Sequence, residues 1–144
     1  MHRIEQAWID EWQTIGVWAR ENTPSNAIFM IPVVRANQPP YTDEEVGGAS
    51  DAIFDYTAQR LVWVNFKKGA AVMWSPSYYD TWHRRVNEVS SLVNHRQKVD
   101  YAHRNGISYI IEICLDANRE KPSFATKRIC IYDVSWPADA SPKS

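Results

Sequence analysis

The chain has little of what usually identifies a protein. Its 144 residues contain only two cysteines and five glycines, and it has no GxGxxG, Walker A or GxSxG pattern. No glycine-rich phosphate cradle or nucleophile elbow is therefore expected. Net charge is −1, so nothing overall draws the chain to a nucleic-acid backbone or an anionic membrane. No apolar run approaches the roughly 20 residues needed to span a bilayer. The residues after Met1 are charged, without the apolar core of a signal peptide. A cytoplasmic or membrane-associated protein is expected if Met1 is the natural start and nothing exports the chain.

What is present is the composition of a globular domain, 44% hydrophobic and 23% charged. One core of that size is expected, with residues 1–137 forming a single α/β domain and 138–144 a polar tail. Seven Trp and seven Tyr are many for this length. They fill the core or, in part, form a contact surface for a sugar, lipid or protein.

The sharpest local signal is Trp18-Ala-Arg-Glu-Asn22-Thr23-Pro24, followed by the apolar run Ile28-Phe-Met-Ile-Pro32. Upstream, Ile4, Trp8, Trp12, Ile15 and Trp18 recur at helical spacing, opposite Glu5, Asp10, Glu11 and Gln13. Asn22 is suited to a left-handed helix exit, and Pro24 prevents continuation. A buried strand is expected over Ala27–Val34, and residues 35–50 read as an exposed, mobile loop. A second strand is expected over Arg60–Lys67 and a helix from Ser77 to Leu92. His95 to Asn105 is a further helix, stopped by Asn105-Gly106. Ile107–Leu115 and Arg128–Val134 complete the strands. This order implies a three-layer α/β fold: a largely parallel sheet of about four strands, helices on both faces and an antiparallel edge strand.

Cys114 and Cys130 fall on the two strands of that last hairpin. A cross-strand disulfide is open to them and fits an oxidising compartment such as the periplasm. Buried, reduced thiols are the commoner state of strand cysteines and are the favoured reading.

The densest polar cluster is Tyr78-Tyr-Asp-Thr-Trp-His-Arg-Arg85, where Tyr79 and His83 share a helical face, as do Asp80 and Arg84. His83 as general base with arginine anion clamps competes with a plain amphipathic helix burying Trp82 and Val86, and the plain helix is favoured. His2, His95 and His103 stand alone in sequence, so no metal is expected, and no cofactor. Asp51 and Asp55 read as solvated loop carboxylates rather than a cation site. Lys67-Lys68 can meet a phosphate at a strand end. An enzyme on this scaffold would work at the carboxyl ends of parallel strands, near residues 33–36 and 66–69.

The ordered set Trp12…Trp18-Ala-Arg-Glu-Asn-Thr-Pro, Asn26-Ala-Ile-Phe-Met-Ile-Pro, Arg60-Leu-Val-Trp-Val-Asn-Phe-Lys67, Tyr79-Asp-Thr-Trp-His-Arg-Arg85 and Tyr101-Ala-His-Arg-Asn-Gly-Ile-Ser-Tyr-Ile-Ile covers roughly residues 8–112. It resembles the soluble extracytoplasmic C-terminal domain of bacterial polytopic membrane proteins related to dolichyl-phosphate-mannose-type glycosyltransferases. In that family the catalytic carboxylate lies in the membrane part. The resemblance therefore implies a non-catalytic accessory domain that docks on a membrane protein complex at its periplasmic face. The alternative is a glycan or polyprenyl-phosphate recognition module using Trp63, Lys67, Trp74, Trp82, His83 and Arg84. A small enzyme built on His83 is the third reading. No nucleic-acid partner is expected.

Overall fold

A computed structural model describes residues 6–32, 50–64, 76–114 and 120–135. The fold is mixed α/β. Helix α1 (Gln6–Asn22) leads into β1 (Ile28–Met30), and α2 (Ser50–Ala58) leads into β2 (Leu61–Val62). Helices α3 (Pro76–Ser90) and α4 (His95–Asn105) precede β3 (Tyr109–Ile113), β4 (Phe124–Ala125) and β5 (Ile129–Asp133). Among the described residues five strands form one sheet in the order β2-β1-β3-β5-β4.

The sheet departs from the expected four mostly parallel strands. β1 runs parallel to both β2 and β3, while β5 is antiparallel to both β3 and β4. The extra strand is β4, two residues inside what reads as a plain connection, and β4 rather than β5 is the edge. The hairpin relation of β3 and β5 is as the sequence implies, from Tyr109↔Asp133 to Ile113↔Ile129.

Alternation along the strands divides the buried residues into two clusters, because successive side chains leave a strand on opposite faces. Phe29, Tyr109, Ile111, Ile129 and Ile131 join Trp8, Trp12, Ile15 and Ala19 of α1 and Phe54 and Ala58 of α2. Met30, Ile110, Cys130 and Tyr132 join Val86 and Val89 of α3 and Tyr101 and Ala102 of α4. The five tryptophans of the described residues all enter these clusters: Trp8 and Trp12 buried, Trp18, Trp63 and Trp82 packed against them.

Helix α2 lies where the sequence reads as loop, so Asp55 sits on a helix rather than in a carboxylate loop. Its buried residues Phe54 and Ala58 are one turn apart and face α1, with Gly16 against Thr57. The expected loop over 35–49 lies outside the described residues.

The helix exits also differ in detail. Asn22 is not left-handed: its side chain folds back, Nδ2 donating to the Trp18 carbonyl at 3.0 Å. Left-handed backbone occurs instead at Gln59 (φ 53°) after α2 and Gly106 (φ 72°) after α4. The end of α1 is closed from across the fold by Arg60. Its guanidinium donates to Thr23 Oγ1 and to the carbonyls of Arg20 and Thr23 at 2.7–3.1 Å, and at longer range to Ala58 and Gln59. One cation thus satisfies the orphan carbonyls of two helix ends.

Glu11, expected on the solvated face of α1, instead holds the turn before β5. Its carboxylate accepts from the Arg128 backbone N–H at 2.8 Å, from Arg128 Nε at 2.7 Å and from the Thr126 hydroxyl. The Arg128 guanidinium also covers the Trp8 ring at 3.6 Å. Burial pushes the Glu11 pKa up, but the bonds from Thr126 and Arg128 outweigh it and hold it below the usual 4.5. A carboxylate with a depressed folded pKa contributes stability above its unfolded value and loses it as pH falls through the folded one. Glu11→Gln is expected to cost about 2 kcal/mol at pH 7. In urea titrations the gap to wild type narrows as pH drops below 4.5.

Candidate functional site: a buried histidine–carboxylate cluster

Glu112 is the only charged side chain buried among the described residues, at 3% exposure. It sits near the carboxyl end of β3, opposite Cys130 on β5. Strand alternation turns it toward α4. That helix begins sharply because Asn94 caps it, its side chain accepting from Gln97 N–H at 2.9 Å. The cap fixes His95 at the first position, with Lys98 one turn later on the same side.

Both reach Glu112. Lys98 Nζ is 3.1 Å from Glu112 Oε1, and His95 Nδ1 meets Oε2. The other imidazole nitrogen, Nε2, lies 2.9 Å from Glu120 Oε1 in the segment leading to β4. Tyr132 closes the far side, its ring 4.5 Å from the imidazole and tilted by 58°. Burial by itself would lower the His95 pKa. The bonds to Glu112 and Glu120 outweigh that and hold it above the usual 6.5.

Beside this cluster the structure joins Cys114 and Cys130 in a disulfide, 16 residues apart in sequence, with Cα atoms 5.2 Å apart. The favoured reading of reduced thiols is corrected: the β3–β5 hairpin brings the sulfurs into bonding reach. His95 is likewise not isolated once folded. Yet its two nitrogens point to different carboxylates, so the three side chains do not converge on one point. No metal-binding group of His, Cys, Asp and Glu is found among the described residues.

The residues singled out from sequence lie elsewhere. Trp63 follows β2 and is half-buried, its indole face already covered by the Arg85 guanidinium at 3.6 Å. Arg85 also donates to the Trp63 carbonyl at 3.0 Å, and Trp63 Nε1 donates to the Tyr101 hydroxyl at 2.8 Å. That hydroxyl donates on to Glu88, and burial together with this carboxylate pushes the Tyr101 pKa up to about 12. Such a chain of bonds ties β2, α3 and α4 together rather than offering a free stacking face.

Trp82 is half-buried against the α3–α4 side of the core. His83 is exposed on α3, stacked on Tyr79 at 5.4 Å and 3.4 Å from Asn87, each one turn away. Arg84 pairs with Glu88 at 3.3 Å rather than with Asp80. This is an exposed pair of small energetic weight. Lys67, Trp74 and the strand ends at 33–36 and 66–69 lie outside the described residues. Glu112 was legible in principle as the single charge inside Tyr109-Ile-Ile-Glu-Ile-Cys. Its partners are brought in by tertiary folding alone.

These features define a mixed α/β domain stapled by one disulfide and one buried charge cluster. The model of the family described as a domain of unknown function (DUF6798) matches residues 10–89, and the chain belongs to that family. The match runs from α1 into α3 and ends before His95. Neither the curated proteins nor the solved structures compared with the chain match it.

Proposed function

We propose that this chain is a non-catalytic accessory domain that docks on a membrane protein complex at its extracytoplasmic face. The Cys114–Cys130 disulfide carries this reading, since such bonds persist in oxidising compartments and are rare in reducing ones. The resemblance of residues 8–112 to extracytoplasmic domains of polytopic membrane proteins supplies the partner class. The use of titratable groups agrees with a structural role. Both nitrogens of His95 meet carboxylates of the fold itself, Glu112 and Glu120. The same reading includes three layers, with α1 and α2 on one face of the sheet and α3 and α4 on the other. Two separate core clusters support that arrangement.

The test uses the native host. Cells are quenched in acid, and free thiols are alkylated under denaturing conditions before and after reduction. Intact membranes are cross-linked in parallel. Cys114 and Cys130 are expected to resist alkylation until reduced, and the cross-linked partner to be a polytopic membrane protein. Free thiols in the quenched cells would overturn the compartment. A chain that never cross-links to a membrane protein would overturn the docking role.

A further inference from the structure

A neutral imidazole has one N–H and one lone pair, yet His95 faces a carboxylate oxygen with each nitrogen. Carboxylates accept and do not donate, so satisfying both contacts takes a proton on each nitrogen. We infer that protonated His95 is a pH-operated latch that ties the segment leading to β4, through Glu120, to the start of α4 and to β3.

The groups facing His95 come from four elements. Glu112 on β3 and Glu120 before β4 favour the imidazolium. Lys98 on α4 opposes it as a like charge near the shared carboxylate, and so does the positive end of the α4 dipole. Tyr132 on β5 contributes a ring face. The carboxylates prevail, and the histidine stays charged beyond its ordinary value.

The two contacts break unequally. Glu112 is 3% exposed and keeps Lys98 as a second partner, so it cannot turn to water. Glu120 is 46% exposed and can. When one proton leaves, the remaining N–H stays on Nδ1 with Glu112. Nε2 then presents a lone pair to the Glu120 oxygen, and that contact opens. A histidine pKa raised by folding contributes fully below 6.5 and is lost as pH rises through the folded value. The latch is closed at low pH and open at high pH. Glu120 lies four residues before the edge strand β4, which pairs Phe124 with Ile131. Opening therefore frees the approach to the edge of the sheet.

The experiment is an NMR pH titration of the full chain, following the His95 ring and the order parameters of the Glu120 and Lys121 amides. The ring is expected to titrate above 6.5. In the same step both amides should fall from rigid values near about 0.85 to below about 0.6. Glu120→Ala should lower the ring midpoint and leave both amides mobile at every pH. Glu120→Gln should leave both amides rigid while the ring still titrates, because its amide can serve either protonation state of His95. Because Glu120 is half-exposed, neither variant threatens folding. In wild type, a ring midpoint at or below 6.5, or amides that stay rigid through the ring's step, would overturn the latch.

Discussion

Gly16→Ala is expected to lower the melting temperature by about 10 °C, corresponding to about 3 kcal/mol for a domain of this size. The opposite sign would hold on an open helix, where alanine in place of glycine gains about 1 kcal/mol. Gly16 is where α1 meets α2. A β-carbon there would lie 1.7 Å from Thr57 Oγ1, 2.7 Å from Thr57 Cβ and 3.2 Å from the Ala58 backbone nitrogen. Thr57 cannot simply swing away. Its hydroxyl is bonded to the Ile53 carbonyl at 2.7 Å, and its branched β-carbon restricts χ1. The helices must therefore separate, uncovering Phe54 and Ala58, both fully buried. Thermal melts of the single variant and of pairs with Thr57 decide the cause. Gly16→Ala with Thr57→Ala should recover only part of the loss, since the Thr57 β-carbon contact remains. With Thr57→Gly most should return, less about 1 kcal/mol for the added glycine. A Gly16→Ala variant as stable as wild type would show that α1 and α2 do not meet this closely.

The sequence was readable where structure is set by neighbours along the chain. Helix α4 is bracketed by Asn94 and Gly106, each acting on its own turn, and both ends fall where those residues place them. Helix α1 shows the same clarity through Trp8, Trp12 and Ile15. Legibility fails where partners are distant. Nine-residue α2 lies between turn-rich residues and a strand, and its signal reduces to Phe54 and Ala58 one turn apart. Strand β4 has two residues, too few for a period, and exists because β5 presents an edge to it, whereas β2 falls inside the strand read over Arg60–Lys67. Arg60 reads as a strand residue, yet its five acceptors lie on the ends of two helices. The buried cluster shows the same failure: Glu112 is 17 residues from His95, and Glu120 is 25. Of the conspicuous residues of α3, Tyr79, His83 and Arg84 meet neighbours on their own helix, while Arg85 and Trp82 reach Trp63 and the core.

That cluster carries the second large effect. Glu112→Ala is expected to cost about 3–5 kcal/mol, because it removes the buried carboxylate that Lys98 and His95 share. Breaking a buried ion pair from one side leaves charge in the interior without compensation. The attraction inside a well-formed pair, by contrast, does little more than repay its own desolvation. The two statements give different expectations for one variant and for three. Replacing Glu112, His95 and Lys98 together by Leu, Phe and Met removes every buried charge of the cluster at similar volume. It should restore most of the stability lost in Glu112→Ala, as read by urea midpoints at pH 6. The alkaline limb also separates them. Wild type loses the His95 contribution as pH rises above 6.5, whereas the apolar triple variant has no group there to titrate and should hold its midpoint. If the triple variant is instead less stable than Glu112→Ala, the cluster is a net stabiliser. If it matches wild type at pH 6 and exceeds it at pH 9, the charges are retained for response to pH rather than for the strength of the fold.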